Sequence, residues 1–247
     1  MESRSEPAMF GTSGETKNGR SGRYRSEYVA FGRDGRRLAA VVRNYGPDDF
    51  DELIDIQREC FPPPFPSELW WTKEQLASHV SLFPEGALCV EADGRLVGSM
   101  TALIVKYDPE AEAHTWAETT GEGTISTHDP SGDTLYVVDV SVRPSYRSFG
   151  FGRVMTHAMY HLVVQLGLKR LLGGGRMSGY HRHADGMSAE EYAKAVVEGR
   201  LNDPVITFML RCGRTPVRVA ENYLEDEESR NYALLMEWRN PFLTKQP

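Results

Sequence analysis

The feature that most constrains the fold is a junction where a β-rich run passes through a short glycine-containing turn into a helical pattern. The run covers residues 135–142 and the turn covers residues 147–152. Backbone N–H groups at the start of a helix have no partner within the helix, and the helix dipole favours an anion there. Gly150 and Gly152 let the backbone approach an anion closely, and Arg147 adds a charge-assisted contact. The junction therefore predicts a site for a diphosphate.

The spacing of this turn alone, Arg-x-x-Gly-x-Gly, is also typical of ordinary turns. Two better known phosphate-binding patterns do not fit it. The turn has no Gly-Lys-Ser/Thr, which a P-loop requires. It also lacks the third glycine and the early chain position of a dinucleotide-binding fold. The order of the surrounding elements must therefore decide what the turn does.

Local signals along the chain place the remaining elements. Thr72 and Gln75 fit a capping box at the start of a helix, and so do Ser188 and Glu191. Asp93 with Gly94 is typical of a tight hairpin between two strands. The predicted order is β-α-α-β-β, an insertion, β-α-β, a second insertion, and α-β-β.

This order predicts a single mixed α/β domain with helices on a largely antiparallel sheet. The domain is expected over residues 28–247, with insertions at 108–133 and 173–203. Residues 1–27 are rich in Ser, Gly, Arg and Glu and are expected to form a disordered leader.

Composition narrows the function classes. The formal net charge is −7, which argues against a nucleic-acid binder. It allows a cationic substrate such as an amine, but plain solubility is the favoured explanation of the negative charge. No run of eighteen apolar residues and no apolar signal segment occurs, so neither a membrane span nor secretion is expected. The three cysteines have no metal-ligand spacing and indicate a reduced, cytoplasmic protein.

Residues 142–152, Val-Arg-Pro-Ser-Tyr-Arg-Ser-Phe-Gly-Phe-Gly, resemble the acyl-CoA signature of the GNAT superfamily of N-acetyltransferases, and the likeness extends over about 38–240. It implies a GNAT fold whose strands at 135–142 and 169–172 splay apart around the thioester of acetyl-CoA. It also implies that the backbones of Val140 and Val142 pair with the pantetheine arm, and that the pyrophosphate is cradled by Arg147, Ser148, Phe149, Gly150, Phe151 and Gly152. Asn202 lies at the spacing of a family asparagine that bonds the pantetheine, although a surface residue before a helix cap explains it equally well.

A narrower resemblance involves several short stretches. Examples are residues 173–176 (Gly-Gly-Gly-Arg), 187–192 (Met-Ser-Ala-Glu-Glu-Tyr) and 222–224 (Asn-Tyr-Leu). They are similar to the GNAT module found N-terminal to nitrilase-like carbon–nitrogen hydrolases in some bacteria. This resemblance indicates a bacterial protein and implies no particular substrate.

The chain departs from the family pattern at both positions that carry proton transfer. Many members have a tyrosine acid four residues before the glycine that ends the last helix, and here that position is Met209. The glutamate base of the histone-type enzymes falls at Tyr136. Asp139 is interpreted as structural, because strand alternation puts it on the opposite face from Tyr136.

Candidates for the missing base are Tyr223 and His181, which rank first, followed by His114, Glu118, His128, Asp133, His183 and Asp185. The spacing of His181, His183 and Asp185 could suggest a metal, but no cysteine and no second cluster accompany it, so no metal is expected.

The sequence thus predicts an acyltransferase that moves an acetyl or other acyl group from acyl-CoA to a primary amine of a small molecule or protein. The alternative is a non-catalytic CoA-binding sensor or interaction module. No nucleic-acid or membrane partner is expected, and a homodimer is left open.

Overall fold

The structure, a computed structural model, describes residues 23–110 and 115–243. Its eight strands form one sheet in the order β1-β2-β3-β4-β5-β6-β8-β7. Every neighbouring pair is antiparallel except β5 and β6, which are parallel. The predicted mixed, mostly antiparallel sheet with flanking helices is therefore confirmed.

Two hairpins build the first half of the sheet. Strand β1 (Arg25–Phe31) pairs with β2 (Arg37–Asn44). The predicted end of the disordered leader at residue 27 is therefore wrong, because residues 25–27 belong to β1. Residues 1–22 lie outside the described residues. Strand β3 (Ala87–Ala92) turns into β4 (Arg95–Val105). Asp93 and Gly94 have φ of 52° and 72°, the left-handed pair that an Asp-Gly hairpin turn requires.

Two helices separate these hairpins. Helix α1 covers Phe50–Cys60 and α2 covers Lys73–Leu82. The predicted capping box at Thr72 is present, because its side chain accepts from the Gln75 amide while the Gln75 side chain accepts from the Thr72 amide. Leu53 and Ile56 of α1 are fully buried and join the main core.

The junction region forms as predicted. Strand β5 (Thr134–Val142) leads through a short turn into α4 (Phe151–Gln165), which returns to β6 (Arg170–Arg176). Only residues 134–136 of β5 pair with β6. Beyond this point, which we call the fork, β6 pairs with β8 alone, so the two strands separate and leave a gap, as predicted.

Strand β6 is longer than expected. The predicted end at residue 172 is wrong, because Gly173–Arg176 continue the ladder with β8. Three glycines lower strand propensity, but a partner strand satisfies their backbone. The second insertion therefore begins after Arg176 rather than at residue 173.

The insertions and the C-terminal part complete the fold. Helix α3 (Trp116–Thr120) lies in the first insertion, of which residues 111–114 are outside the described residues. Helix α5 (Ala189–Val197) has the predicted Ser188 capping box, and α6 (Pro204–Arg211) is capped by Asp203. Strands β7 (Thr215–Ala220) and β8 (Ala233–Arg239) close the sheet. Within the described residues, no helix is long and apolar enough to cross a membrane.

Candidate active site

A β-bulge shapes the site on β5. Thr101 of β4 is opposite Asp139, while the next residue, Ala102, is opposite Val137, so Val138 is the extra residue. The Val138 carbonyl accepts a hydrogen bond from Trp116 Nε1 at 3.0 Å. A bulge breaks the alternation of side chains along a strand, and four successive residues, 137–140, line one cavity in the gap.

This cavity, which we call the cleft, has a volume of about 140 Å³. Its apolar walls include Phe61, Phe65, Trp71, Trp116, Phe208 and Met209. Its polar lining, as we call it below, consists of Gln57, Asp139, Arg176, Arg214 and Tyr223. These residues come from α1, β5, β6 and the segments around β7, so only the folded chain brings them together.

Asp139, which the sequence analysis interprets as structural, lies in the wall of the cleft. Its carboxylate lines the cleft and accepts hydrogen bonds from Gln57 Nε2 and Ser141 Oγ, both at 2.9 Å. Burial raises the pKa of this carboxyl to about 6, against the lowering effect of the two hydrogen bonds. Simple alternation missed it because the bulge at Val138 turns Asp139 into the gap.

Tyr223, one of the two first-ranked candidates for the base, lines the cleft and is hydrogen-bonded to Tyr136. Their hydroxyl oxygens are 2.6 Å apart and both residues are buried. Burial raises the pKa of Tyr223 to about 12 and that of Tyr136 well above its usual value. Tyr223 is therefore protonated near neutral pH and can donate a hydrogen bond, but it cannot act as the base.

The three glycines of β6 give the cleft its shape. A Cβ on Gly174 would collide with the Tyr223 ring, and a Cβ on Gly175 would lie 2.6 Å from Met209 Sδ. Met209 thus faces the cleft from α6 at the position where many family members have a tyrosine. A thioether has no proton to give.

In the predicted pyrophosphate loop, residues 147–152, Gly150 is open to a ligand, whereas Phe149 and Phe151 hold the loop in place. Gly150 has φ of 76°, has open space where a Cβ would be, and precedes α4 without a side-chain cap, so the first helix amides are available to a phosphate. The loop therefore fits a diphosphate. Phe149 and Phe151 are buried and stack at 5.7 Å. Their side chains anchor the loop, and only their backbones can meet a ligand.

The positions of the other predicted cofactor contacts are compatible with CoA binding for some residues and not for others. Arg147 and Ser148 are exposed, and Val140 lines the cleft. The Val142 carbonyl already accepts from Cys60 Sγ and from Arg147 Nε, both at 3.2 Å, so the guanidinium must leave it to reach a phosphate. Asn202 is exposed and lines a separate depression beside α5 and α6, so the structure does not bring it to the cleft.

His181 also lies outside the cleft lining. Its Nδ1 contacts the carbonyl oxygens of Ser178 and Glu228 at 3.1 and 3.0 Å in a turn after β6. The lower-ranked candidates that the structure describes do not line the cleft either: Glu118, His128, Asp133, His183 and Asp185. His114 lies outside the described residues. Among residues 23–110 and 115–243, no cluster of three His, Cys, Asp or Glu side chains could hold a metal.

Arg176 marks one wall of the cleft. Its guanidinium forms two hydrogen bonds with Asp226, at 3.0 and 2.8 Å, and one with Glu228 at 3.0 Å. It lies 4.9 Å from the ring centroid of Phe65, within cation–π range. This cation is therefore neutralised by its own neighbours.

Comparison with known proteins identifies the same family that the sequence resembles. The sequence profile of the acetyltransferase (GNAT) family matches residues 50–176, from α1 to β6. A Bacillus subtilis protein described as the uncharacterized N-acetyltransferase YkwB is 55% identical over 213 residues, which cover 86% of this chain and 94% of YkwB. The chain belongs to the GNAT family. It is an acyl-CoA-dependent N-acyltransferase, which confirms the predicted family, reaction and co-substrate.

A second relative from B. subtilis, the probable hydrolase YhcX, is 40% identical over 201 residues. The match covers 81% of this GNAT chain and 38% of YhcX, so the chain spans well under half of that relative. The predicted likeness to a module linked to nitrilase-like hydrolases stays a prediction.

Solved GNAT structures share the fold. The GNAT-like decarboxylase GphF in complex with isobutyryl-CoA has a TM-score of 0.64 and 25% identity, covering 81% of this chain and 98% of its own. The loading GNATL domain of CurA from Lyngbya majuscula has the same TM-score and coverage, with 16% identity.

Proposed function

We propose that this GNAT transfers an acyl group from acetyl-CoA, or another acyl-CoA, to a primary amine, with Asp139 as the base that takes the amine proton. The observation that carries the proposal is a carboxylate in the cleft with a pKa raised to about 6. Such a group is ionised at neutral pH and is basic enough to assist proton removal, which contributes about 10²- to 10⁴-fold in rate. An amine can attack only in its neutral form.

The acyl-CoA supplies an acyl group activated as a thioester. The backbone of residues 147–152, the start of α4 and the Arg147 side chain would hold its pyrophosphate. Val140 would direct the pantetheine arm along β5 toward the fork. Ser148 belongs to the same loop. The Val142 carbonyl would have to exchange its present donors to pair with the pantetheine arm. Asn202 lines a separate depression and makes no contact with the donor in this proposal.

Tyr223 takes a different role from the predicted one. With a pKa of about 12 it stays protonated, and its hydroxyl can donate a hydrogen bond within the cleft. Met209 cannot protonate the departing thiolate, so we assign that proton to solvent. His181 has no place in this reaction scheme.

The acceptor is proposed to be an amine with an apolar body. Four aromatic side chains line the cleft beside Asp139, namely Phe61, Phe65, Trp71 and Trp116, and such walls favour apolar groups. The Arg176 guanidinium is already paired with Asp226 and Glu228, so it leaves no free cation on that wall to repel an ammonium. A cytoplasmic location is supported by the three free cysteines, two of them buried.

Release of free thiol from acetyl-CoA, measured over a panel of aromatic, aliphatic and polyamine acceptors, tests the proposal. We expect turnover with apolar amines, and a rate that falls as pH drops through about 6 because Asp139 becomes protonated. Tight acetyl-CoA binding without thiol release for any amine would instead indicate a non-catalytic sensor.

A second candidate reaction is decarboxylation of a carboxylated acyl-CoA. In it CO₂ leaves the acyl chain, a proton replaces it on carbon, and the thioester stays intact. The likeness to the decarboxylase GphF supports this reaction, and Met209 is compatible with it because no thiolate has to be protonated. Mass spectrometry of malonyl-CoA incubated with the protein and no amine would detect acetyl-CoA.

A further inference from the structure

An unpaired cation lines the cleft at the fork. Arg214 lies three residues after the end of α6, and only 4% of its surface is exposed. A Cβ on Gly173 would lie 3.3 Å from Arg214 Nη1 and 3.2 Å from Val137 Cβ. Gly173 is the first residue of β6 beyond the pairing with β5. The guanidinium therefore sits where the two strands begin to separate.

Three other arginines, one buried and two half-buried, show what Arg214 lacks. Arg143 is 2% exposed and pairs with Glu52 and Glu59, and Arg170 pairs with Glu237 at 2.8 Å. Arg176 pairs with Asp226 and Glu228. Across the described parts of the chain, Arg214 forms no ion pair, and its buried Nε has no hydrogen-bond acceptor.

The groups that do surround Arg214 are neutral. They are the Tyr160 hydroxyl and the Cys212 thiol, and burial raises the pKa of both. The Tyr160 hydroxyl donates its proton to the Cys212 carbonyl at 2.9 Å. Asp139, the acidic residue of the polar lining, is hydrogen-bonded to Gln57 and Ser141 instead. A buried guanidinium is costly unless an anion compensates it, so a ligand is the remaining source of that anion.

We propose that the acyl donor carries a free carboxylate on its acyl chain, as malonyl-CoA and succinyl-CoA do, and that Arg214 binds it. The inference rests on the proposed function, in which the pyrophosphate binds at residues 147–152 and the pantetheine follows β5 toward the fork. The acyl group then points at Gly173 and Arg214. A thioester and a neutral amine carry no negative charge, so the acyl chain must supply it. A guanidinium matches a carboxylate with two parallel hydrogen bonds.

Calorimetric titration tests the inference without relying on turnover. The ligands are CoA, acetyl-CoA, malonyl-CoA and succinyl-CoA, and the proteins are wild type, Arg214→Gln, and the surface control Arg200→Gln. We expect at least one carboxylated ester to bind wild type about 10-fold or more tightly than acetyl-CoA. Arg214→Gln should abolish that preference while keeping acetyl-CoA affinity within about 3-fold, and Arg200→Gln should change neither.

A second measurement needs no variant. At equal concentration, the favoured carboxylated ester should raise the Tm of wild type more than acetyl-CoA does. This result keeps the inference testable if Arg214→Gln does not fold.

Two results would overturn the inference and leave the proposed function intact. One is acetyl-CoA binding wild type as tightly as both carboxylated esters. The other is Arg214→Gln lowering turnover equally with every donor and leaving their relative affinities unchanged, which would point to stabilisation of the departing thiolate. Failure of every CoA ester to bind would instead overturn the proposed function itself, and this inference with it.

Discussion

The proposed pyrophosphate loop, residues 147–152, and the polar lining of the cleft are built in different ways. The loop is six consecutive residues whose contacts with a phosphate would be made largely by backbone, supplemented by the exposed side chain of Arg147. The polar lining is five side chains drawn from positions 57 to 223 of the chain. Gln57 and Asp139, for example, are joined by a 2.9 Å hydrogen bond across 82 residues.

The difference teaches where this protein can vary. In the proposed function the loop binds the part that all acyl-CoA esters share, and its requirements are local: glycine at 150, a helix start and a nearby cation. The lining would contact the parts that differ between substrates, and each of its side chains depends on the packing of others. Changes to the loop should therefore affect binding of every CoA ester, whereas changes to the lining should affect chemistry and selectivity.

The largest expected effect tests the lining. Asp139→Asn should lower the acyl-transfer rate by about 10²- to 10⁴-fold, because the amide cannot take a proton. It should also remove the fall in rate below about pH 6 while leaving acetyl-CoA affinity unchanged. Stopped assays over pH 5–9 and calorimetry measure this, with the exposed α1 residue changed in Asp55→Asn as control. If the rate of Asp139→Asn still falls below about pH 6, Asp139 is not the base.

The same variant carries a stability test. The pKa of Asp139 in the folded protein lies above the ordinary aspartate value of about 3.9. Protonated Asp139 therefore contributes its full stability below about pH 3.9, and this contribution is lost as the pH rises through about 6 and the buried carboxyl ionises. Asp139→Asn should therefore have a higher Tm than wild type at pH 8, and the gap should shrink toward pH 4. Differential scanning calorimetry at the two pH values checks the sign.

The next effect tests the loop. Arg147→Glu should weaken binding of acetyl-CoA and of CoA alike by about 10- to 100-fold, the range that loss of one charge-assisted contact supports. Arg147 is exposed, so the Tm should stay the same. Arg58→Glu on α1 is the matched control for reversing one surface charge. An unchanged dissociation constant would exclude the loop as the phosphate site.

A smaller effect tests how tightly the lining is packed. Gly174→Ala should lower the free energy of unfolding by about 1–3 kcal/mol, because the new methyl overlaps the Tyr223 ring. Gly186→Ala is the control, since no atom lies within 4 Å of its Cβ position. Urea unfolding measures both. Equal stability of the two variants would mean that Tyr223 moves aside without cost.

The smallest effect concerns the tyrosine pair. Tyr223→Phe keeps the ring and removes the hydrogen bond to Tyr136, so we expect a loss of about 1 kcal/mol in unfolding free energy. A much larger fall in acyl transfer than in stability would show that the Tyr223 hydroxyl also contacts the reacting groups. If Tyr223→Phe transfers acyl groups at the wild-type rate, Tyr223 has only a packing role.

Local chemistry explains which parts of the fold could be predicted. The Asp93–Gly94 hairpin turn and the capping boxes at Thr72 and Ser188 depend on residues no more than three positions apart, and all form as expected. The end of β6 was predicted wrongly because Gly173–Gly175 look unlike a strand, and only the ladder with β8 holds them extended. Resemblance in sequence points to His181 and Asn202, and the structure places both outside the cleft.

The sequence by itself determined the family, the order of the main elements from β2 onward and the turn at 147–152, because each depends on contiguous residues and backbone geometry. Tertiary structure alone decided which side chains share the cleft. A bulge opposite β4 turns Asp139 into it, burial raises the pKa of that carboxyl, and the fork leaves the Arg214 guanidinium beside neutral groups. Burial and charge environment are properties of packed neighbours distant in the chain, and spacing along the chain does not encode them.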